Sequence, residues 1–230
     1  MKVRASLIGQ IMTNPRSKGE TLSKTAKDCI LDILLENELG YKEEFWSKYT
    51  EKGKQVEKES LSMANDILDL GLSWIDIESE VREYAENDFF TGHCDALTDD
   101  LIIEIKSSYS AQTYFPIFYS DELENKAYYY QVQAYMDLFN RDKSMVIYCL
   151  TNTPELMVDD VVRQQHWKHN LIDENMELRN HVEMQHNFDR VKRENRVKAF
   201  MIYRDQETID AMKERVLLCR EYYEQLKSKL

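Results

Sequence analysis

Apolar and polar positions change their period several times along the chain, and each change marks a predicted element. Between residues 21 and 38 the apolar positions recur at helical spacing. Ala26, Ile30, Ile33 and Leu34 form one stripe, and Gly40 is placed to stop the helix. A second helix is predicted over 50–70, ending at Gly71, with Leu61, Ala64 and Leu68 on one face. Glu57 lies one turn before Leu61 on that stripe, and a carboxylate that continues an apolar stripe belongs at a core edge or in a site. Residues 74–84 alternate as a strand does, with Ile75, Ile77 and Val81 on one side. Residues 88–97 and 101–107 continue as a meander, and 109–119 read as aromatic and irregular. A helix over 122–139, a buried strand over 144–151 and a polar helical stretch over 161–191 come next. A strand over 197–203 precedes a long amphipathic helix from Asp205 to the end, with Ile209, Met212, Val216, Leu217 and Tyr223 inward. This order predicts a mixed α/β (α+β) domain with a central mixed sheet flanked by helices.

Composition narrows the picture. The 230 residues suffice for one sizeable core, and 6 Gly and 3 Pro leave little room for linkers. A single domain over 1–230 is expected, with a helical part to residue 72 and a sheet core with C-terminal helices from 73. The net charge of −12 argues against binding nucleic acid by bulk electrostatics, but not against a protein that confines its Lys and Arg to one groove. Cys29, Cys94, Cys149 and Cys219 stand far apart and read as isolated buried thiols in a reducing, cytoplasmic setting. No signal peptide and no apolar run long enough to span a membrane is visible.

The candidate chemistry lies in residues 91–108, which read as a tight hairpin turning at Asp99-Asp100. Counted outward, Thr98 faces Leu101, Leu97 faces Ile102, Ala96 faces Ile103, and Asp95 faces Glu104. Glu104 and Lys106 then share a strand face. Two opposed carboxylates repel unless a cation sits between them, so the hairpin points to a divalent metal. In a chain with 42 acidic residues that spacing also arises by chance, a solvated edge being the alternative. Two further elements add weight: Gln131 and Tyr135, four apart on one helix face, and Gly53 with Glu57 on the helix before the sheet.

Together these motifs resemble the PD-(D/E)XK nuclease superfamily, in the branch of RecB-like nucleases, lambda-type exonucleases and YqaJ-like phage recombination exonucleases. That branch carries Gly-x-x-x-Glu on a helix, Asp on the second core strand, Glu-x-Lys on the third and Gln-x-x-x-Tyr on the next helix. All occur here in that order, at Gly53/Glu57, Asp95, Glu104/Lys106 and Gln131/Tyr135. Cys94 stands where the superfamily name has Pro. The resemblance implies a restriction-endonuclease-like core and a metal-dependent DNA exonuclease, active in phage recombination or DNA processing. An endonuclease or single-strand-specific nuclease, or a non-catalytic nucleic-acid-binding module, are the alternatives. It implies one or two Mg2+ or Mn2+ ions held by Asp95, Glu104, the Ile105 carbonyl and Glu57. Lys106 would orient water or stabilise the phosphate, and Gln131 and Tyr135 would brace the site or touch the substrate backbone. Cys219 alone near the C-terminus argues against an iron–sulfur cluster. Duplex DNA ends, a single-strand annealing protein and copies of the chain itself are the partners the family suggests.

Weaker features remain. Tyr109, Tyr114, Phe115 and Tyr119 pack a core or lid, or else stack unpaired bases. Arg16, Lys18 and Lys24 hold a terminal phosphate or are solvated. His93 would face Lys106 across the hairpin. His166 and His169 have helical spacing for zinc but no third ligand, and read as a surface pair.

Overall fold

The computed structural model describes the chain except residues 43–45, 80–81 and 174. It opens with a short strand, β1 (Val3–Arg4), within the stretch expected to be helical, followed by α1 (Ile8–Ile11) and α2 (Lys24–Leu39). Ser23 caps α2 by accepting from the Ala26 amide, and Gly40 ends it in the left-handed region at φ 72°. The expected stripe of Ala26, Ile30, Ile33 and Leu34 is buried. The long helix predicted next is two helices, α3 (Lys48–Gln55) and α4 (Glu57–Leu68). Val56 between them has left helical geometry, at φ −108° and ψ 11°, and is buried. No Gly or Pro stands at the break itself, the nearest being Gly53 within α3. It puts Glu57 in the first turn of α4, where the helix dipole favours a carboxylate. Asp69, at φ 52°, closes α4 before Gly71 is reached.

The strand expected at 74–84 is a correction. Trp74–Glu78 is a helix, α5, because Ser73 and Asp76 form a reciprocal capping box that overrides the alternation. Ile77 is buried but Ile75 is 72% exposed, and Val81 lies outside the described residues. Then come β2 (Tyr84–Glu86), β3 (Phe90–His93), β4 (Ala96–Leu97) and β5 (Ile102–Ser107). The stretch read as irregular also forms a helix, α6 (Ala111–Phe118). It contains Pro116 and is started by a Ser110–Thr113 capping box. Further along are α7 (Lys126–Phe139), capped by Asn125 and starting later than expected, and β6 (Lys143–Cys149). The polar stretch is two helices, α8 (Glu155–Lys168) and α9 (Met176–His186). β7 (Val197–Tyr203) and α10 (Gln206–Lys227) complete the chain. Of the five residues expected inward on α10, Leu217 is instead 48% exposed, one helical step round from buried Val216.

The strands form two mixed sheets rather than one. β1-β3-β2 joins parallel and antiparallel pairs, and β4-β5-β6-β7 is antiparallel, parallel and antiparallel in turn. The chain passes from the first to the second at Cys94-Asp95. The four-stranded sheet is covered on both faces. Ile103, Ile105, Ile147 and Val197 pack with Leu61, Ala64 and Ile77 from α4 and α5. Ile102, Val146, Tyr148 and Phe200 join the larger core with α2, α7 and α10. This double burial is why β5 reads as an apolar run interrupted by Glu104. α7 lies hard against α1, where a Cβ on Gly9 would meet that of Ala127 at 2.5 Å.

Candidate active site

β5 carries the site because successive residues face opposite ways. Ile103 and Ile105 point to α4, so Glu104 and Lys106 point to the other face, towards α7. The hairpin has the expected register: Ala96 pairs with Ile103, Leu97 with Ile102, and the Thr98 amide donates to the Leu101 carbonyl at 2.9 Å. The ladder stops at Ala96, and Asp95 Oδ2 accepts the Ile105 amide at 2.6 Å.

Glu104 is 4% exposed. Its Oε1 accepts from Lys106 Nζ at 2.5 Å and from Gln131 Nε2 at 2.8 Å. Its Oε2 is buried and accepts no hydrogen bond from the described residues. Gln131 Nε2 also donates to the Tyr135 hydroxyl at 3.0 Å, so α7 braces Glu104 through two residues on one face. Tyr135 fits because residue 92 is glycine: a Cβ there would come within 2.7 Å of its ring. Glu57 Oε1 accepts from Arg82 Nη2 at 2.7 Å and Nε at 3.1 Å. Lys106 Nζ stands 4.3 Å from the centre of the Tyr128 ring.

The electrostatics are uneven. Burial, the Glu104 charge and the Glu57 charge together hold the Asp95 carboxyl well above the usual carboxylate range, against the Ile105 amide and Lys106. Burial pulls the Lys106 ammonium down, but the Glu104 carboxylate beside it outweighs that, and its pKa is raised. Lys106 is therefore a cation and a hydrogen-bond donor in this arrangement.

These groups line a cleft of about 510 Å³. Glu57, Asp95, Glu104 and Lys106 form its floor, α3 supplies Tyr49, Thr50, Gly53 and Lys54, and Tyr109, Ile117, Tyr128 and Tyr148 close the sides. Among the described residues, no three His, Cys, Asp or Glu side chains stand ready as a metal-ligating group. Arg82 holds Glu57, Lys106 and Gln131 hold one oxygen of Glu104, and the Ile105 amide holds Asp95. The donor set nevertheless suits a hard divalent cation. It offers carboxylate oxygens, one of them a buried acceptor without a partner among the described residues, and a buried Asp whose pKa is raised by burial and by the charges of Glu104 and Glu57.

Other candidates fall elsewhere. His93 belongs to the first sheet, opposite Tyr84, with Nδ1 3.4 Å from the Arg82 carbonyl, so it does not face Lys106. The turn at Cys94-Asp95 separates them. Tyr109 lines the cleft, Tyr114 is buried, and Phe115 and Tyr119 stack on each other. Arg16 and Lys18 are exposed between α1 and α2 and do not line the cleft, and Lys24 pairs with Asp28 at 2.6 Å. His166 accepts from the Asn175 amide at 3.3 Å, away from the cleft. All four cysteines are buried and free.

Sequence reading missed Lys52, Arg82 and Tyr128. Lys52 is 0% exposed, and its ammonium donates to the Ser108 carbonyl at 2.9 Å and the Tyr109 carbonyl at 3.2 Å. In a lysine-rich helix nothing marks it out. Tyr128 carried a usable signal, since 128, 131 and 135 follow the i, i+3, i+7 spacing of one helix face.

No protein-family model matches this chain, and no curated protein matches it. Solved structures do. It is similar to a phage-related exonuclease from Haemophilus somnus 129PT, with 28% identity and a TM-score of 0.76, over 100% of this chain and 96% of that one. It is also similar in fold to an alkaline exonuclease, LHK-Exo, from Laribacter hongkongensis, with 17% identity and a TM-score of 0.65, over 99% and 92% of the two chains. A complex of LHK-Exo with dAMP matches at 16% identity and a TM-score of 0.62.

Proposed function

We infer from the kinship of this chain with the phage-type exonuclease branch of the PD-(D/E)XK nucleases that it is a metal-dependent DNA exonuclease. The observation that carries this reading is the buried Glu104, held by Lys106 and Gln131 on one oxygen and open on the other, beside a repelled Asp95. Asp95 and Glu104 would be the main ligands of magnesium or manganese, joined by the Ile105 carbonyl and by Glu57 directly or through water. Such an ion supplies an activated water and stabilises charge on the phosphorus and the leaving oxygen.

The chain's own residues do the rest. Lys106, kept protonated by Glu104, offers its ammonium to a phosphate oxygen or to the attacking water at the mouth of β5. Gln131 holds the Glu104 carboxylate in one orientation, and Tyr135 holds the Gln131 amide, which keeps the unpartnered oxygen aimed consistently. Apolar and aromatic side chains around the carboxylates reduce the water near them and strengthen each charge interaction. The exposed cations Arg16 and Lys18 supply, in this reading, contacts to DNA beyond the cleft. A role in phage recombination or DNA processing follows from the same kinship.

The test is digestion of end-labelled linear duplex with magnesium or manganese, with and without a 5′ phosphate. The wild type releases labelled nucleotide. Asp95→Ala lowers the rate by about a thousandfold or more while circular dichroism stays native. Cleavage by Asp95→Ala at the wild-type rate would remove the assignment.

A further inference from the structure

Two parts of the cleft lining come from distant segments and need a tie between them. α3 supplies Tyr49, Thr50, Gly53 and Lys54, and the exit of β5 supplies Ser108 and Tyr109. The sheet does not hold that exit alone. The Ser108 amide still donates to the Cys149 carbonyl at 2.8 Å, but the β5–β6 register ends at Ser107 and Cys149. Beyond it the Leu150 amide turns to the Arg196 carbonyl at 2.9 Å. The Ser108 and Tyr109 carbonyls accept from Lys52 Nζ, at 2.9 and 3.2 Å. Lys52 stands on α3 between the cleft residues Thr50 and Gly53, yet it is 0% exposed and cannot touch a substrate. Ring contacts reinforce the tie. Tyr49 and Tyr109 meet edge to face, 5.0 Å apart at 70°, and Tyr109 meets His186 of α9 at 5.4 Å and 83°. His186 Nδ1 is in turn 3.0 Å from the Thr153 hydroxyl.

A buried ammonium is costly, and burial here lowers the Lys52 pKa to about 8. The Phe188 and Tyr109 rings stand near it, with centres 5.0 and 5.9 Å from Nζ. Methionine would fill a similar length without that cost. What methionine lacks is a donor for two carbonyls beyond the end of the strand. We propose that Lys52 is a positioning residue for DNA: it fixes the separation between α3 and the exit of β5, and so the width of the cleft that takes the phosphate backbone. The inference rests on the nuclease reading above and adds to it the residue that sets the fit to substrate. The carboxylates have their own supports. Lys106 and Gln131 hold Glu104, and the Ile105 amide holds Asp95. Loss of the tie should therefore loosen the grip on DNA more than it slows the chemical step.

The test is steady-state degradation of end-labelled linear duplex in magnesium, near neutral pH, by wild type, Lys52→Met and Lys52→Arg. Lys52→Met should raise KM roughly tenfold and lower kcat by less than about threefold. In calcium, which holds off cleavage, its Kd for the same duplex should rise by a similar factor. The slope of log affinity against log salt should stay as in the wild type, because Lys52 meets no phosphate. Lys52→Arg keeps N–H donors on a long stem and should hold KM within about threefold of the wild type. An unchanged KM in Lys52→Met, with or without a fall in kcat, would mark Lys52 as core filling and overturn the proposal. A salt slope reduced by about 1 would place the ammonium on a phosphate and overturn it as well. So would a rise in KM of about tenfold in Lys52→Arg, whether or not Lys52→Met folds. Failure of the wild type to degrade the duplex with metal would instead overturn the nuclease reading, and the two failures are distinct.

Discussion

At the scale of single residues, the carboxylates and the lysine of the site were visible in the hairpin spacing, but their partners were not. Asp95, Glu104, Lys106, Gln131 and Tyr135 stand out because two strands and one helix have simple periods that bring them together. Lys52 has no such mark. It is buried without a carboxylate at hydrogen-bond distance among the described residues and ties α3 to the carbonyls just beyond β5. Burial lowers its pKa to about 8, against the opposing charge of Glu59. Between pH 8 and 10.5 the unfolded chain therefore holds a proton that the folded chain has released, and stability rises with pH over that window. The neutral amine keeps donors for both carbonyls, so the contact survives. Chemical denaturation should show wild type gaining on Lys52→Met between pH 7 and 10, by up to about 3 kcal/mol. A difference that stays constant with pH would show that Lys52 titrates normally.

At the scale of elements, capping decided what periodicity could not. Ser73 with Asp76 and Ser110 with Thr113 start helices where alternation suggested a strand and where an aromatic run read as irregular. α3 departs in charge from the chain as a whole. Its eight residues carry Lys48, Lys52 and Lys54 against Glu51, within a chain of net charge −12. Lys54 lines the cleft, and Lys48 Nζ stands 4.8 Å from the centre of the Tyr109 ring and 5.3 Å from that of Tyr49. On the proposed nuclease reading, this is the local basic track with which an acidic protein would hold a phosphate backbone. Replacing Lys48 and Lys54 together by Ala should weaken DNA binding and reduce the slope of log affinity against log salt by about 2. Titration of a labelled duplex at several salt concentrations, in calcium to hold off cleavage, reads that slope. An unchanged slope would place the DNA elsewhere.

For the whole molecule, the cleft lies where the end of the four-stranded sheet meets α3, α4, α6 and α7. Glu57 and Lys106 stand 49 residues apart in the chain, and the break at Val56 places Glu57 at the start of α4, where it lines the same cleft. A protein of the exonuclease kind needs a chain end. Linear duplex should be degraded to completion while covalently closed circular DNA of the same sequence stays intact, as gel electrophoresis would show. Linearised products from the circle would favour the endonuclease alternative. No helix among the described residues is long and apolar enough to cross a membrane.

The sequence by itself determined the local part of this protein: the β4–β5 hairpin register, the Glu104-x-Lys106 face, the Gln131–Tyr135 pair and the strand Val197–Tyr203. Each depends on a period of two or 3.6, which is written in neighbouring residues. Only the tertiary structure decided that the strands divide into two sheets at Cys94-Asp95, that Gly92 makes room for Tyr135, and that Lys52 and Arg82 serve the cleft. Those outcomes depend on which distant surfaces exclude water together, and no spacing along one chain records that.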